Sequence, residues 1–298
     1  MAAVSTARTT RRRNLAPYLW VLPAVLVYLV FKIAPMIAGL YLSLLQWDGI
    51  EPAKFVGLQN YRRMFGDEII GLAFLNNTKY AIGTVVGKIV VSLFLAVLLN
   101  GALRGRSFYR TTLFLPVVMS FVVVGILWTW LYNAQFGLVN SLFRGLGLDF
   151  LIADWLGDPK IALWSLMVVD VWKWYGFHMV IFLAGLQTIP NELYEAARID
   201  GATRWQQFWR ITLPLLQPVM VVNVTLAFMG AFNVFDVPYV MTEGGPTNST
   251  MVMALHIYVQ GFKFYKFGYA AALSYVLLTL VTILAAIQMG LMSRASAD

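Results

Sequence analysis

The chain has 298 residues, 60% of them hydrophobic and only 12% charged, with a mean hydropathy of +0.71 and a formal net charge of +8. Ordinary soluble domains carry roughly a quarter of their residues as charges, so this composition excludes a water-soluble globule and points to lipid as the solvent. The absence of cysteine excludes disulfides, thiolate metal sites and cysteine nucleophiles.

Taken in chain order, residues 1–16 hold the basic run RTTRRR and read as a disordered cytoplasmic tail. The apolar run that follows continues to about Leu44 without a small-residue cleavage site. A signal peptide has an apolar region of only about 7–15 residues, so this run reads as a retained first span. Runs exceeding about 18 apolar residues predict spanning helices. They fall at about 18–44, 78–100, 113–131, 161–188, 215–241 and 268–292. The runs are continuous rather than alternating, which favours helices over barrel strands. The prediction is an all-α membrane protein with six transmembrane helices, one membrane domain over 17–292 and a short tail at 293–298.

Lys and Arg set the orientation. With the N-terminus inside, 11 basic residues fall on the inner segments 1–16, 101–112, 189–214 and 293–298, against 7 on the longer outer segments. Both termini and the segment 189–214 are therefore predicted to be cytoplasmic. The basic balance is topological and does not signal nucleic acid.

Segment 189–214 contains EAARIDGATRWQQFWRITLP, a charged insert between spans 4 and 5. Locally it reads as two short helices. Pro190 suits a first helical turn, and Gly201 suits a left-handed stop. Thr203 with Gln206 makes a capping box for the second helix. Trp205, Phe208 and Trp209 fit a membrane surface, whereas the small Ala196, Ala197 and Gly201 fit close approach of a protein partner. From the residues alone both readings stand.

The same stretch resembles the EAA loop of binding-protein-dependent ABC transporter permeases. The pattern is matched by Glu195-Ala196-Ala197, Gly201, Ile211, Leu213 and Pro214. FVGLQNYRRMF, FYRTTLFLPVVMS, AGLQTIPNELYEAARIDGAT, FDVPYVMTEGGPTNST and GYAAALSYVLL resemble the carbohydrate-uptake branch, of maltose, lactose and glycerol-phosphate permease type. They run in family order along nearly the whole chain. The resemblance implies one half of a permease heterodimer, two cytoplasmic ATPase subunits and an extracytoplasmic solute-binding protein, in the inner membrane of a prokaryote. It implies that Glu195, Ala196, Ala197, Asp200, Gly201, Ile211, Leu213 and Pro214 couple to the ATPases. ATP and Mg are then used by those partners, and this chain binds no cofactor. The cargo implied is a sugar or sugar-like solute, with glycerol phosphate or another polar solute as the alternative, and a stand-alone ion-coupled transporter as a rival.

No complete phosphate loop is present: GTVVGKIV at 83–90 lacks the spacing and reads as a small-xxx-small helix contact. His178 and His256 have no acidic cluster beside them in sequence, so neither a metal site nor catalysis is expected. Asn76-Asn77-Thr78 and Asn248-Ser249-Thr250 match a glycosylation pattern by chance. Polar groups inside spans usually face a cavity or the bundle interior. On that ground Trp172, Trp174, Tyr175, Asn223, Asn233 and Asp236 are candidates for a substrate path, the aromatic faces for sugar C–H surfaces and the polar groups for hydroxyls. The alternatives are interface-belt tryptophans, an Asn223 that only bridges helices, and a Lys173 that snorkels outward. Asn233 and Asp236 are expected on one helix face. The outer segment after span 5 is a candidate docking surface for the binding protein, or a packed hairpin.

Overall fold

The computed structural model describes residues 16–101 and 104–295, with side-chain surroundings over 20–290. The first helix, α1, covers residues 16–42 and loosens to a π turn at Leu29–Ile33. There Ala34 N–H donates to the Leu29 carbonyl, five residues back, which accommodates Pro35 without breaking the span. None of its apolar window is buried within the chain. It leans on the last helix through its C-terminal half: Gly39 lies beside Tyr275, whose hydroxyl donates to the Met36 carbonyl, and the Leu42 carbonyl lies beside Gly268.

A short hairpin follows, β1 (Leu45–Gln46) antiparallel to β2 (Lys54–Phe55), then α2 (Gln59–Arg63). The next helix, α3, runs Glu68–Asn100, ten residues further toward the N-terminus than the predicted span. The reason is local: Asp67 caps it, its carboxylate accepting from Ile69 N–H at 3.0 Å. At about 1.5 Å per residue α3 is about 50 Å long, well beyond the roughly 30 Å of hydrocarbon.

The predicted third span is not one helix. It comprises α4 (Arg106–Val118) and α5 (Phe121–Leu131), bent by 98° at residues 119–120. Ser120 starts the second piece by accepting from Val122 N–H with its hydroxyl. After α6 (Leu138–Gly145), α7 (Ala162–Leu186) matches the predicted fourth span closely. Then come α8 (Asn191–Ile199) and α9 (Arg204–Leu215), α10 (Gln217–Phe232), α11 (Asp236–Thr242), α12 over residues 253–263 and α13 (Phe267–Ala295).

The predicted fifth span, 215–241, is also corrected. Helix α10 ends at Phe232 with Asn233 as its C-cap, and α11 starts afresh at Asp236. Pro238 is the cause: it has no N–H for the Val234 carbonyl and its ring would strike that carbonyl in a continuous helix. Asn233 and Asp236 therefore do not share a helix face. Among the described residues, four helices are long and apolar enough to cross a membrane, or up to six when each bent pair counts as one span.

Helices α3 and α7 form the spine, and small residues let them touch. A Cβ on Gly83 would meet the Met167 sulfur at 2.5 Å, and one on Gly87 the Val171 Cγ2 at 2.7 Å. This is the small-xxx-small contact predicted for GTVVGKIV. Tighter still is Gly176 on α7, where a Cβ would lie 2.4 Å from the Leu113 carbonyl oxygen of α4. A thioether can swing away but a backbone carbonyl cannot. Gly176→Ala is expected to destabilise the subunit by about 1–3 kcal/mol and Gly83→Ala by clearly less, read as thermal unfolding midpoints in detergent.

Among the described residues, two hydrophobic clusters result. The larger joins the first half of α3 to α7, α10, α11 and α12. The smaller joins Ala96 and Leu99 to Met179, Phe182, Leu183, Leu186, Ile189 and Leu216, at the foot of α8 and α9.

Candidate functional site

The insert folds as its local signals require. Pro190 is the N-cap of α8 rather than its first helical residue. Helix α8 ends in a Schellman closure: Gly201 N–H donates to the Arg198 carbonyl at 3.1 Å and Ala202 N–H to the Ala197 carbonyl at 2.8 Å. Gly201 sits at φ +78°, the left-handed conformation that favours glycine. The capping box is complete, with Gln206 N–H donating to the Thr203 hydroxyl and Thr203 N–H to the Gln206 side chain. Pro214 lies inside α9, and the chain turns two residues later at Leu216, by 70°, into α10. Pro218 takes the N-terminal position there.

The two short helices are tied together and seated on the smaller cluster. The Tyr194 hydroxyl bonds the Thr212 hydroxyl at 2.9 Å, Gln207 Nε2 donates to the Ala202 carbonyl, and Tyr194 and Ile211 pack against the cluster. Packed side chains thereby connect α8 and α9 to α7 and to the start of α10. The outward side of α8 carries Glu195 and Arg198, 4.0 Å apart and solvent-exposed, beside exposed Ala196 and Asp200. Ala197, Asp200 and Gly201 rim a cavity of about 380 Å³ that reaches Arg210 and Ile211. Leu193 and Ile199, absent from the sequence-based candidates, are exposed too, Ile199 at 88%. Their signal was present, since apolar residues on a polar surface helix mark a contact face. Leu213 is half-buried and Pro214 exposed. Trp205 and Trp209 are exposed and in edge contact with each other, as a membrane-surface helix requires.

Within the bundle, Lys88, Asp170 and Lys173 are buried and each has polar partners. Lys88 of α3 and Asp170 of α7 are both buried, with Nζ 2.5 Å from the carboxylate. One turn further, Lys173 is buried as well and does not snorkel. Its ammonium donates to the carbonyls of Pro116, Val117 and Met119 at 3.3, 3.3 and 2.6 Å. It also lies over the rings of Phe121 and Trp174, at 4.5 and 5.5 Å from their centroids.

The candidate path residues divide. Trp172 is half-buried, edge-on to Trp128, and shares an apolar groove with Tyr175, Gly83 and Gly87. Trp174 packs on Phe121 and Phe177 beside the elbow of the third span. Asn223 is fully buried, and both its polar atoms meet His178: Oδ1 pairs with Nδ1 at 2.7 Å and Nδ2 donates to the backbone carbonyl. It bridges α10 to α7. Asn233 and Asp236 are exposed at the break between α10 and α11. Helix α11 packs on α5 tightly enough that a Cβ on Gly125 would meet Val240 at 2.5 Å. The two broken spans are thus neighbours.

At the other end of α3 sit residues whose importance the sequence concealed. Asn76 and Asn77 are buried: Asn76 donates to the Met251 carbonyl at 3.0 Å, and Asn77 accepts from Met253 N–H and donates to the Phe232 carbonyl. They lock α3 to the segment after span 5. That segment is packed, with Met251, Val252, Met253, Leu255 and His256 all buried. His256 Nε2 lies 3.2 Å from Asp67, which also accepts from the Tyr269 hydroxyl at 2.8 Å. Burial alone would raise the Asp67 carboxyl, but Tyr269 and His256 outweigh it and hold it below its ordinary value. Burial pushes the His256 imidazole below its ordinary value despite that neighbour.

A polytopic bundle with two discontinuous spans, and a helical elbow between the fourth and fifth, has the architecture of a membrane transport subunit. The family is shown directly: residues 88–295 match the model for the binding-protein-dependent transport system inner membrane component, and the chain belongs to that family. It is 39% identical over 93% of its length to the probable ABC transporter permease protein YurN of Bacillus subtilis (strain 168), covering 96% of that protein. It is 35% identical to the lactose transport system permease protein LacF of Rhizobium radiobacter, over 97% of each chain. Among solved structures it resembles a chain of a bacterial ABC transporter involved in the import of the acidic polysaccharide alginate. There the TM-score is 0.82 at 25% identity, covering 95% of this chain and 96% of that one. The protein is therefore a multi-pass permease component of a binding-protein-dependent importer.

Proposed function

We propose that this permease carries a sugar or oligosaccharide inward by alternating access, with both termini and the 189–214 segment on the cytoplasmic side. The carrying observation is α8: a helix closed by Gly201, presenting Glu195, Ala196, Ile199 and Asp200 outward, and seated through Tyr194 and Ile211 on the cluster that joins α3, α7 and α10. Such a piece takes a push from a partner and passes it to the spans. Two ATPase subunits supply that push and use the ATP and Mg, and Glu195, Ala196, Ala197, Asp200 and Gly201 form the contact, with Leu193 and Ile199 added. Ile211, Leu213 and Pro214 carry the movement toward span 5. A second permease subunit completes the membrane pair and receives the uncovered face of α1. A solute-binding protein delivers the cargo from outside, and this chain itself performs no catalysis.

Sugar is the reading because the relatives include a lactose permease and a polysaccharide importer chain, and because aromatic residues flank both broken spans. The path is placed at the two breaks, between Trp174 and Phe121 on one side and Asn233 and Asp236 on the other, where discontinuous helices expose polar groups at membrane depth. Trp172 and Tyr175 stand beside it. A thermal-shift ligand screen on the partner binding protein identifies the sugar. With that sugar, Asn233→Leu is expected to lower the uptake rate about tenfold, the cost of one lost hydrogen bond to the cargo, while basal ATPase activity stays at the parent level. Unchanged uptake would remove Asn233 from the path.

A further inference from the structure

The break in the third span poses a chemical problem that one residue solves. The last carbonyls of α4 have no following turn to donate to them, and at membrane depth water is not available to replace it. Met119 N–H reaches the Pro116 carbonyl at 3.3 Å, but among the described residues no backbone N–H reaches the carbonyls of Val117 and Met119. An ammonium has three N–H donors and no acceptor. Lys173 of α7 directs Nζ at three carbonyls, those of Pro116, Val117 and Met119. No carboxylate among the described residues pairs with it at salt-bridge distance. Its charge also suits the negative end of the α4 dipole. One turn along α7, Gly176 lets the α4 backbone approach at Leu113, so α4 is held at two points and its end is fixed.

We propose that Lys173 is a positioning residue of the transport cycle: its ammonium caps the broken end of α4 and holds the elbow at Met119–Ser120 closed against α7. The aromatic faces of Phe121 and Trp174 seal the cation from lipid and are fixed by it in turn. Because the same two rings form one wall of the path proposed above, the cap sets the shape of that wall. This functional consequence rests on the path reading; the cap itself does not.

The absence of cysteine in the chain permits a direct measurement. Spin labels at Phe108→Cys on α4 and Trp130→Cys on α5, both exposed positions, report the elbow angle as a distance in the assembled importer in nanodiscs. With Lys173 intact, a single narrow distance population is expected without nucleotide. Lys173→Met is expected to shift the closed-to-open ratio by about tenfold, as loss of buried hydrogen bonds implies, leaving basal ATPase activity intact. Lys173→Arg, which keeps the charge and N–H donors, is expected to retain the narrow population. If Lys173→Met does not assemble, Lys173→Gln, with two donors and no charge, carries the test and is expected to broaden the distribution. A parent-like distribution in any assembled variant lacking the charge overturns the proposal. A broadened elbow with unaltered uptake of the sugar found by the binding-protein screen would keep the cap and overturn the path wall instead.

Discussion

Lys88→Met is expected to destabilise the subunit by about 3–5 kcal/mol, because it leaves a carboxylate buried without its partner. Lys88 and Asp170 are each under 5% exposed and stand 2.5 Å apart between the two spine helices. Neither can reach water by a change of rotamer alone, since Lys88 faces α7 and Asp170 faces α3 in the middle of their packed seam. Asp170→Leu alone should cost a similar amount by stranding the ammonium. The double variant Lys88→Met with Asp170→Leu removes both charges and keeps apolar volume, so it should recover to within about 1 kcal/mol of the parent. Thermal midpoints of the four proteins in detergent form the cycle. A double variant no more stable than either single one would show that the two charges do not act as a pair.

The ion pair also shows where a sequence stops informing. Lys88 and Asp170 are each visible as a costly charge inside an apolar run, but nothing within either run says that they meet. The same limit governs the elbow of the third span. Ser120 is an ordinary helix start, yet the partner that makes the break tolerable is Lys173, more than fifty positions away. Read alone, Lys173 was equally a residue that snorkels. By contrast, the break after α10 was readable: Pro238 removes the donor to the Val234 carbonyl and disfavours a continuous helix there, and an unbroken fifth span overlooked it. The 189–214 insert was legible almost atom by atom because its signals are local. Gly201 sets the Schellman closure, and Thr203 with Gln206 sets the capping box, within a few residues of one another. Even there the turn fell at Leu216 rather than Pro214, since the π turn at Phe208–Thr212, with Leu213 N–H on the Phe208 carbonyl, carries the helix past the proline. Asn76 and Asn77 concealed their role for the reason that hid Lys173: their hydrogen-bond partners lie some 155–176 positions downstream.

Ala197→Asp and Gly201→Asp are expected to abolish uptake while the permease still inserts, and the structure separates the two effects that such variants confound. At Gly201 an added Cβ meets nothing within 4 Å. The cost of substitution inside this chain is therefore conformational, about 1–2 kcal/mol for a left-handed residue, and aspartate is among the side chains that tolerate that conformation best. Gly201→Ala should thus fold, with α8 still closed. A severe loss in Gly201→Asp beyond that of Gly201→Ala must come from outside the chain, where a carboxylate is forced into a surface built for a small residue. Ala197 is half-buried on the rim of the cavity that reaches Arg210, so its aspartate has a cation within the same cavity and perturbs the fold little. Desolvating either carboxylate against a partner costs several kcal/mol, which weakens association by about a thousandfold or more. The measurement is co-purification of the ATPase subunits with each variant, alongside the yield of folded permease. Retention of the ATPases by both aspartate variants, with uptake at the parent level, would remove α8 from the contact and leave the insert as a membrane-surface elbow held by Trp205 and Trp209.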